Sequence, residues 1–402
     1  MLSSSRLSWM PRLAFAPKNS APRGDTLVVI FLRGAADTLN IVVPHAEDAY
    51  YKLRPTLNIP RPDDTKASLR TLDLDGFFGF HPAMSPLLDT WSEKQLAIIH
   101  ACGAPDESRS HFKAMELMER GVDDERGPAS GWIGRHLATL DTGNHSPLRA
   151  VGLGEMPQRS LSGSVPVSAL RSIADFHLKG DERAVAQMRT ALDTIYSGTD
   201  SFSVLGQETL AILDILQQLD PTTNSQSTNS QFTNFPTTDF GLALQQVSML
   251  IKADVGLEVA AIDLGGWDTH FAQGGAEGQQ ARLIQQLSEG LAAFHADLRD
   301  RMNNITVVTM SEFGRRAAEN GSFGTDHGHG SMMMVMGANV DGGKVHGAWP
   351  GLGDGQLIGP GDLAVTTDYR DVLSEVLVKR LNNPALADIF PGYQSTLRGI
   401  LK

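Results

Sequence analysis

The sequence predicts an α/β protein built on a largely parallel sheet with helices on both faces. Unbroken apolar runs of strand length recur along the chain, and segments with helical spacing of apolar residues separate them. Strands buried on both faces show continuous rather than alternating apolar character, which is typical of parallel sheets. In such folds ligands bind beyond the carboxyl ends of the strands, so the polar residues that follow each run are the first functional candidates.

Five apolar runs are predicted to be strands, and the segments between them contain most of the helices. The predicted strands are Thr26–Leu32, Gln95–Ala101, Leu257–Ile262, Ile305–Met310 and Ser331–Met336. The predicted helices are Ser110–Arg120, Trp132–Leu140, Asp181–Tyr196, Phe202–Leu219, Leu242–Lys252, Gln279–Met302 and Asp371–Leu381. Gly121 is expected to end the first of these helices, because glycine readily adopts the left-handed conformation found there.

The composition is that of a globular protein and excludes several functional classes. The chain has 402 residues and a formal net charge of −12, and the absence of a Lys/Arg cluster argues against nucleic-acid binding. The single cysteine, Cys102, excludes a disulfide framework and a Cys-rich zinc site. No apolar run is long enough to cross a bilayer, so no transmembrane segment is expected.

One domain is expected over residues 25–402, preceded by a disordered arm or signal remnant at 1–24. Within the domain, residues 146–200 are interpreted as an insert on the substrate side. Residues 221–239 are rich in Thr, Asn, Ser and Gln and are predicted to form a mobile surface loop, because they bury too little apolar surface to become ordered.

Side chains suited to metal binding and catalysis follow four of the strands and precede the fifth. In chain order they are Asp37; Ser108, Ser110 and His111; Asp268 and His270; Ser311 and Glu312; and Asp326, His327 and His329. Each has a simpler structural explanation, since Asp37 suits a turn, one of the serines suits a helix cap and Glu312 suits an ion pair with an arginine. Their convergence at one sheet edge favours a functional site.

The chemistry that fits these side chains is metal-dependent ester hydrolysis. One or two divalent ions, zinc, manganese or similar, are expected to be held by Asp37, Asp268, His270, Glu312, Asp326 and His327. The catalytic candidates are Ser110, His111, Arg109 and Arg315. A serine at a helix N-terminus would be activated by the metal and the helix dipole, and an arginine would bind the anionic ester.

Seven motifs give the chain a resemblance to the DUF1501 family. They are FLRGAADTLNIVVP, YYKLRPTLNIP, SRSHFKAME, GWDTH, MSEFGRR, TDHGHG and VTTDYRDVL, and they occur in the expected order from about residue 25 to the C-terminus. The resemblance implies a relationship to the alkaline phosphatase and sulfatase superfamily. It therefore implies an alkaline-phosphatase-like three-layer α/β/α sandwich with a mostly parallel central sheet and a two-metal site.

The resemblance also assigns roles by position, and the chain departs from the superfamily at two strand ends. Asp268 and His270 resemble its Asp/His ligand pair, Glu312 resembles the next acidic ligand and His327 resembles the last histidine. The aspartate usual after the first strand is replaced by Arg33. The Asp-His pair usual after the later strand is replaced by Ser311 and Glu312, which leaves the second metal in question. Ser110, beside His111, is preferred to Ser108 as nucleophile.

Three functional hypotheses follow. The first is a hydrolase of phosphate or sulfate esters, with attack by a serine or by metal-bound hydroxide on a small anionic substrate. The second is a phosphomutase-like transferase on the same scaffold, and the third is a non-catalytic exported binding or envelope protein. The resemblance implies export to the periplasm by a twin-arginine signal. The chain carries no twin-arginine pair or complete signal peptide, so a cytoplasmic location stays an alternative.

Overall fold

The computed structural model describes residues 25–144, 146–154, 156–170, 173, 178–219 and 235–402. Within these residues the strands are β1 (Thr26–Leu32), β2 (Val42–Val43), β3 (Leu72–Asp73), β4 (Gly79–Phe80), β5 (Leu96–Gly103), β6 (Ala150–Leu153), β7 (Ser168–Leu170), β8 (Val259–Leu264), β9 (Ile305–Met310), β10 (Ser331–Met336), β11 (Lys344–His346) and β12 (Thr367–Asp368).

The same residues form α-helices and short 3₁₀ helices between the strands. The α-helices are α1 (Thr38–Ile41), α2 (Asp48–Leu53), α3 (Leu88–Ser92), α4 (His111–Arg120), α5 (Trp132–Thr139), α6 (Glu182–Ile195), α7 (Ser201–Leu219), α8 (Asp239–Lys252), α9 (Gln279–Asp297), α10 (Tyr369–Lys379) and α11 (Leu386–Ile389). The 3₁₀ helices are Pro82–Leu87, Arg159–Leu161 and Arg299–Asn304.

The main sheet has the strand order β11-β5-β10-β9-β1-β8-β6-β7, and β12 also pairs with β5. Strand β1 runs parallel to β8 and β9, and β6 runs parallel to β8 and β7. Strand β10 is antiparallel to both of its neighbours, β5 and β9. The predicted α/β fold with a mostly parallel central sheet is therefore confirmed. A small antiparallel sheet, β2-β4-β3, lies apart from it.

Two hydrophobic cores cover the two faces of the main sheet. Alternate residues of β1 point to opposite faces, as the pleat of a strand requires, and both sets are buried. Val28, Ile30 and Leu32 belong to the core that contains α8 and α9. Leu27, Val29 and Phe31 belong to the core that contains α5 and α10. This two-sided burial explains the unbroken apolar runs of the sequence and gives the three layers that were expected.

One predicted helix differs from its sequence interpretation. The predicted helix over Gln279–Met302 is divided, because α9 ends at Asp297 and a 3₁₀ helix follows, a common form for the end of an α-helix. The stretch at 146–200, interpreted as a substrate-side insert, contributes β6 and β7 to the edge of the main sheet. The loop predicted at 221–239 lies outside the described residues up to position 234, and the arm at 1–24 lies wholly outside them.

The carboxyl ends of β1, β5, β8 and β9 all lie at one edge of the main sheet. Because β10 runs the opposite way, this edge receives its first residue, Ser331, and the loop that precedes it. That reversal is why the GTDHGHG segment, which stands before a strand, reaches the same edge as residues that stand after strands.

A buried ion pair joins Asp37, after β1, to Arg54, after α2, and its arginine also bonds to the segment after β9. Arg54 donates to the two carboxylate oxygens of Asp37 at 2.6 and 2.9 Å, and both side chains are fully buried. Gln273 donates to one of the same oxygens at 2.6 Å. Arg54 also donates to the backbone oxygens of Arg316 and Ala317. Both oxygens of Asp37 are thereby engaged, so the structure gives Asp37 a structural role in place of the metal-ligand role expected.

We predict that Asp37→Ala destabilises the protein strongly, because it leaves the buried guanidinium of Arg54 without its carboxylate. Breaking a buried pair in this way costs about 3–5 kcal/mol. The control is Asp48→Ala, which removes an ion pair with Arg61 in which the aspartate side chain is 79% exposed and which is expected to cost under about 1 kcal/mol. Urea unfolding measures both free energies, and equal losses would contradict the structural role of Asp37.

Candidate metal centre

Four side chains bring nitrogen and oxygen donors close together at the sheet edge, and those of His111, Asp268 and His327 all lie within 4.8 Å of one another. The Nε2 atom of His327 lies 2.9 Å from Nε2 of His111 and 2.8 Å from Nε2 of His270. The Oδ1 atom of Asp268 lies 3.5, 3.1 and 3.2 Å from Nε2 of His111, His270 and His327 respectively. Asp268 and His327 therefore stand between the other two histidines, and each contacts both.

These donors come from three separate segments of the chain that lie close together in the fold. His111 is the first residue of α4, Asp268 and His270 follow β8, and His327 precedes β10. The turns after β1 and β8 touch so closely that a Cβ atom on Gly34 would lie 2.6 Å from the backbone nitrogen of Asp268. Gly34 also has a φ of +116°, which only glycine adopts without strain. The glycine after β1 is thus needed for the loop carrying Asp268 to reach its position.

Each imidazole has its Nδ1 atom against an oxygen acceptor. For His111 the acceptor is a carboxylate oxygen of Glu312 at 2.7 Å, and for His327 it is the backbone oxygen of Arg109 at 2.9 Å. For His270 it is a carboxylate oxygen of Asp326 at 3.4 Å. Because a carbonyl or an ionised carboxylate can only accept, Nδ1 carries the proton and Nε2 keeps a free lone pair.

The charges around the cluster favour a cation at the point where the donors meet. Burial alone would raise the pKa of Asp268, but the hydrogen bond and the charge of Arg315 lower it to about 2, so the carboxylate is ionised. Burial lowers the pKa of His327, which keeps that imidazole neutral. The hydrogen bond to Glu312 raises the pKa of His111 and makes its ring a more basic ligand. Lone pairs and a carboxylate that face one another repel unless a positive charge lies between them.

The distances fit a small divalent ion. Bonds of about 2.0–2.1 Å to nitrogen and oxygen in a tetrahedral arrangement place the donors about 3.3 Å apart. The separations among His111, His327 and Asp268 are 2.9, 3.2 and 3.5 Å, close to that value. The side chains of Asp268 and His270 are 50% and 42% exposed, so one side of the cluster is open to solvent. These residues suit zinc or a similar ion with room for a further ligand.

Glu312 and Asp326, both expected as metal ligands, lie one step further from the meeting point. Glu312 is fully buried, and one carboxylate oxygen contacts His111 and the backbone nitrogen of Gly34. Asp326 accepts from Asn320 at 3.0 Å and faces Nδ1 of His270. In the described structure both carboxylates hold a histidine in place. Contacts of this kind fix the ring orientation and tautomer of metal-bound histidines.

Arg315, a catalytic candidate from the sequence, is fully buried and engaged on every side. Its guanidinium donates to Asp268 at 2.6 Å and to the backbone oxygens of Gly34, Ala35, Trp267 and Thr325. Its side chain has no exposed surface. Arg315 therefore orients Asp268 and joins three loops, and it is not available to bind a substrate.

The other catalytic candidates occupy the loop between β5 and α4. Ser110 is exposed at the N-cap of α4, and its side chain makes no capping hydrogen bond. The hydroxyl oxygen of Ser108 instead accepts from the backbone nitrogen of Ser110 at 3.3 Å. Arg109 donates to the buried carboxylate of Asp362. Of the two serines, Ser110 therefore has the hydroxyl that the local backbone does not use.

Sequence reasoning did not identify His111 as a metal-binding residue, although it placed this histidine at the site. The available signal was its position directly after a strand and a short loop, which it shares with Asp268 and His270. The backbone oxygen of Arg109 had no sequence signal, because every residue type carries a carbonyl group.

Within the described residues, no helix is long and apolar enough to cross a membrane. Among known families, a model described as "Protein of unknown function (DUF1501)" matches residues 25–377. No curated protein matches the chain.

Solved structures with a similar fold include sulfatases and alkaline phosphatases. A sulfatase from Pseudoalteromonas sp. is 11% identical, with a TM-score of 0.36 over 94% of this chain and 70% of that one. The alkaline phosphatase of the Antarctic bacterium TAB5 is 8% identical, with a TM-score of 0.31 over 78% and 92%. The C-terminal periplasmic domain of EcEptC from Escherichia coli, in complex with zinc, is 8% identical, with a TM-score of 0.32 over 80% and 74%. Likenesses this distant carry no argument about activity, which must come from the site itself.

We predict that the purified protein binds a divalent ion through the four side chains of the cluster. His327→Ala and Asp268→Ala should each lower the bound zinc or manganese at a fixed low metal concentration, because both residues lie at the centre of the cluster. His346→Ala, a histidine on β11, is the control. Elemental analysis after dialysis measures the metal content. Equal metal content in all four proteins would contradict the site.

We further predict that Glu312→Gln weakens metal binding without abolishing it. Glutamine keeps an oxygen that can accept from His111 but removes the charge, and such outer contacts contribute about 10- to 100-fold in metal affinity. Glu116→Gln on α4, where the glutamate is half exposed and pairs with Arg120, is the matched control. Titration with a competing chelator gives the dissociation constants. Loss of all binding at saturating metal would instead make Glu312 a direct ligand.

Proposed function

The chain belongs to the DUF1501 family, and from this premise we propose that it is a metal-dependent hydrolase of phosphate or sulfate esters. The observation that carries the proposal is the compact set of donors formed by Nε2 of His111, Nε2 of His327 and Oδ1 of Asp268, all within 4.8 Å of one another, with His270 beside it and one side open to solvent. A structural metal site is usually closed, whereas a catalytic one keeps a position free.

A divalent ion held by His111, His327 and Asp268, with His270 as a further donor beside them, would polarise an ester oxygen and lower the pKa of a water molecule. The chain's own groups set the geometry in which this happens. Arg315 holds the shared aspartate, and Glu312 and the Arg109 carbonyl hold two of the rings. These contacts are in place before a substrate arrives, so little reorganisation is needed on binding.

Ser110 is the candidate nucleophile within this proposal. It directly precedes His111 in the chain, is exposed, and makes no capping hydrogen bond. The N-terminus of α4, a helix of ten residues, adds a partial positive charge that stabilises a developing alkoxide. The alternative attacker is a water molecule. In that case Ser110 has no catalytic role and is only the N-cap residue of α4.

Arg316 is better placed than Arg315 to bind an anionic ester. Its side chain is 35% exposed and lies 3.7 Å from Asp326, the carboxylate behind His270. The fork of a guanidinium suits the oxygens of a phosphate or sulfate group.

The two candidate attackers are separated by Ser110→Ala. If serine forms a covalent intermediate, the turnover number should fall by several orders of magnitude on phosphate and sulfate esters. If water attacks, the loss should be small. Ser197→Ala, an exposed serine between α6 and α7, is the control. Steady-state kinetics on a panel of both ester classes gives the comparison.

His270→Ala should abolish turnover in either case, because it removes a donor from the metal cluster. This variant also tests the proposal as a whole. The hydrolase proposal is contradicted if the metal-loaded protein turns over no ester on the panel and the His270→Ala variant differs from it only in stability. That result would favour the non-catalytic binding protein.

A further inference from the structure

Three exposed phenylalanines stand beside the metal-binding residues. Phe112, Phe271 and Phe323 are 86%, 72% and 59% exposed. Phe112 directly follows His111, Phe271 directly follows His270, and Phe323 stands three residues before Asp326. Large aromatic side chains are rarely left in water in such numbers around one polar site.

Two of these rings belong to one wall of the site. The backbone of 269–273 runs beside that of 322–325, with Ala272 donating to Ser322 at 3.0 Å and Gln273 donating to Phe323 at 2.9 Å. Phe271 and Phe323 are therefore neighbours at the His270 end of the cluster. Phe112 directly follows His111 in the chain, so the three phenylalanines belong to segments at both ends of the row of imidazoles.

The wall holds two residues in the left-handed backbone region. Phe323 has a φ of +58° and Ala272 has a φ of +46°. A bulky residue is disfavoured in this conformation, where glycine would be the ordinary choice. Neither burial nor backbone preference accounts for a phenylalanine at position 323. Strain of this kind is a common mark of a residue kept for binding.

We propose that Phe112, Phe271 and Phe323 form an aromatic rim that binds the organic part of the substrate. This inference rests on the proposed hydrolase function and specifies its substrate class. The substrate is an anionic monoester whose alcohol part presents a flat apolar face, either an aryl ring or the C–H face of a sugar ring. The anionic group lies at the metal centre, and the flat face stacks against the rim.

The charge of the surroundings favours a small substrate over a membrane as the occupant. The half-exposed carboxylates of Asp268 and Asp326 stand in the same loops as Phe271 and Phe323, and the whole chain has a formal net charge of −12. Surfaces that dock on anionic lipid combine aromatic side chains with clusters of Lys and Arg. A small anionic ester needs only the metal and one arginine to offset its charge.

The test measures binding rather than turnover, with inert analogues and the zinc-loaded protein. Calorimetry gives dissociation constants for methylphosphonate, phenylphosphonate and glucose 6-phosphonate, and for methanesulfonate and benzenesulfonate. We expect the ring-bearing member of a series to bind more tightly than the methyl member. The phenyl and glucose arms distinguish an aryl substrate from a sugar one.

Phe112→Ala, Phe271→Ala and Phe323→Gly should each reduce this preference by about two- to tenfold per ring and leave methyl-analogue affinity unchanged. Glycine is used at position 323 because it also relieves the strained backbone, so the variant should fold at least as well as the parent. Phe202→Ala is the control, since this phenylalanine is 65% exposed on α7 beside Tyr196.

The outcomes separate the two proposals. If no analogue binds, the anionic-ester function itself fails. Suppose that the methyl analogues bind, but that neither a ring on the analogue nor the replacement of a rim phenylalanine changes the affinity. The proposed function then stands and the rim inference is overturned. If the rim variants dissociate an oligomer seen by light scattering and leave the preference unchanged, the rim is a contact between copies of the chain, and the inference is again overturned.

Discussion

The buried guanidinium of Arg315 is the interaction on which the site depends. It bonds to the turn after β1, to the turn after β8 and to the loop before β10, and it orients Asp268 at the centre of the histidines. A fully buried cation is tolerated only when its donors are satisfied, so these loops are held at a fixed distance from one another. Their approach is close enough to require glycine at position 34. The ligand geometry is thus set by a residue that never meets the substrate.

Around this centre the acidic residues have three different roles. Asp268 is a candidate ligand, whereas Glu312 and Asp326 each stand behind a histidine. Asp37 is further away and neutralises Arg54. The same side chain type therefore coordinates, orients or stabilises according to which partner the fold brings to it. A carboxylate behind an imidazole raises its basicity, while one beside the ion would also reduce the charge of the site.

The sequence predicted the strands and the position of the site better than it predicted the role of each residue in the site. Strands buried on both faces leave unbroken apolar runs, so β1, β5, β8, β9 and β10 were found, and with them the edge where the site lies. The roles of Glu312 and Asp37 were not predictable, because a shift of a few ångströms decides whether a carboxylate meets an ion, an imidazole or a guanidinium. Arg315 gave no sign of burial, since its acceptors are mostly backbone oxygens from distant loops.

The reversed direction of β10 has a mechanical consequence. In the strand order, β10 alone joins the β5 side of the sheet to the β9 side. His111 follows β5 on the first side, Asp268 and His270 follow β8 on the second side, and His327 precedes β10 itself. An ion held by these residues would therefore connect the two sides of the sheet that β10 joins. It would bind only after distant parts of the chain have met, so metal binding would follow the folding of the sheet, and the bound ion would slow any opening of the sheet along β10.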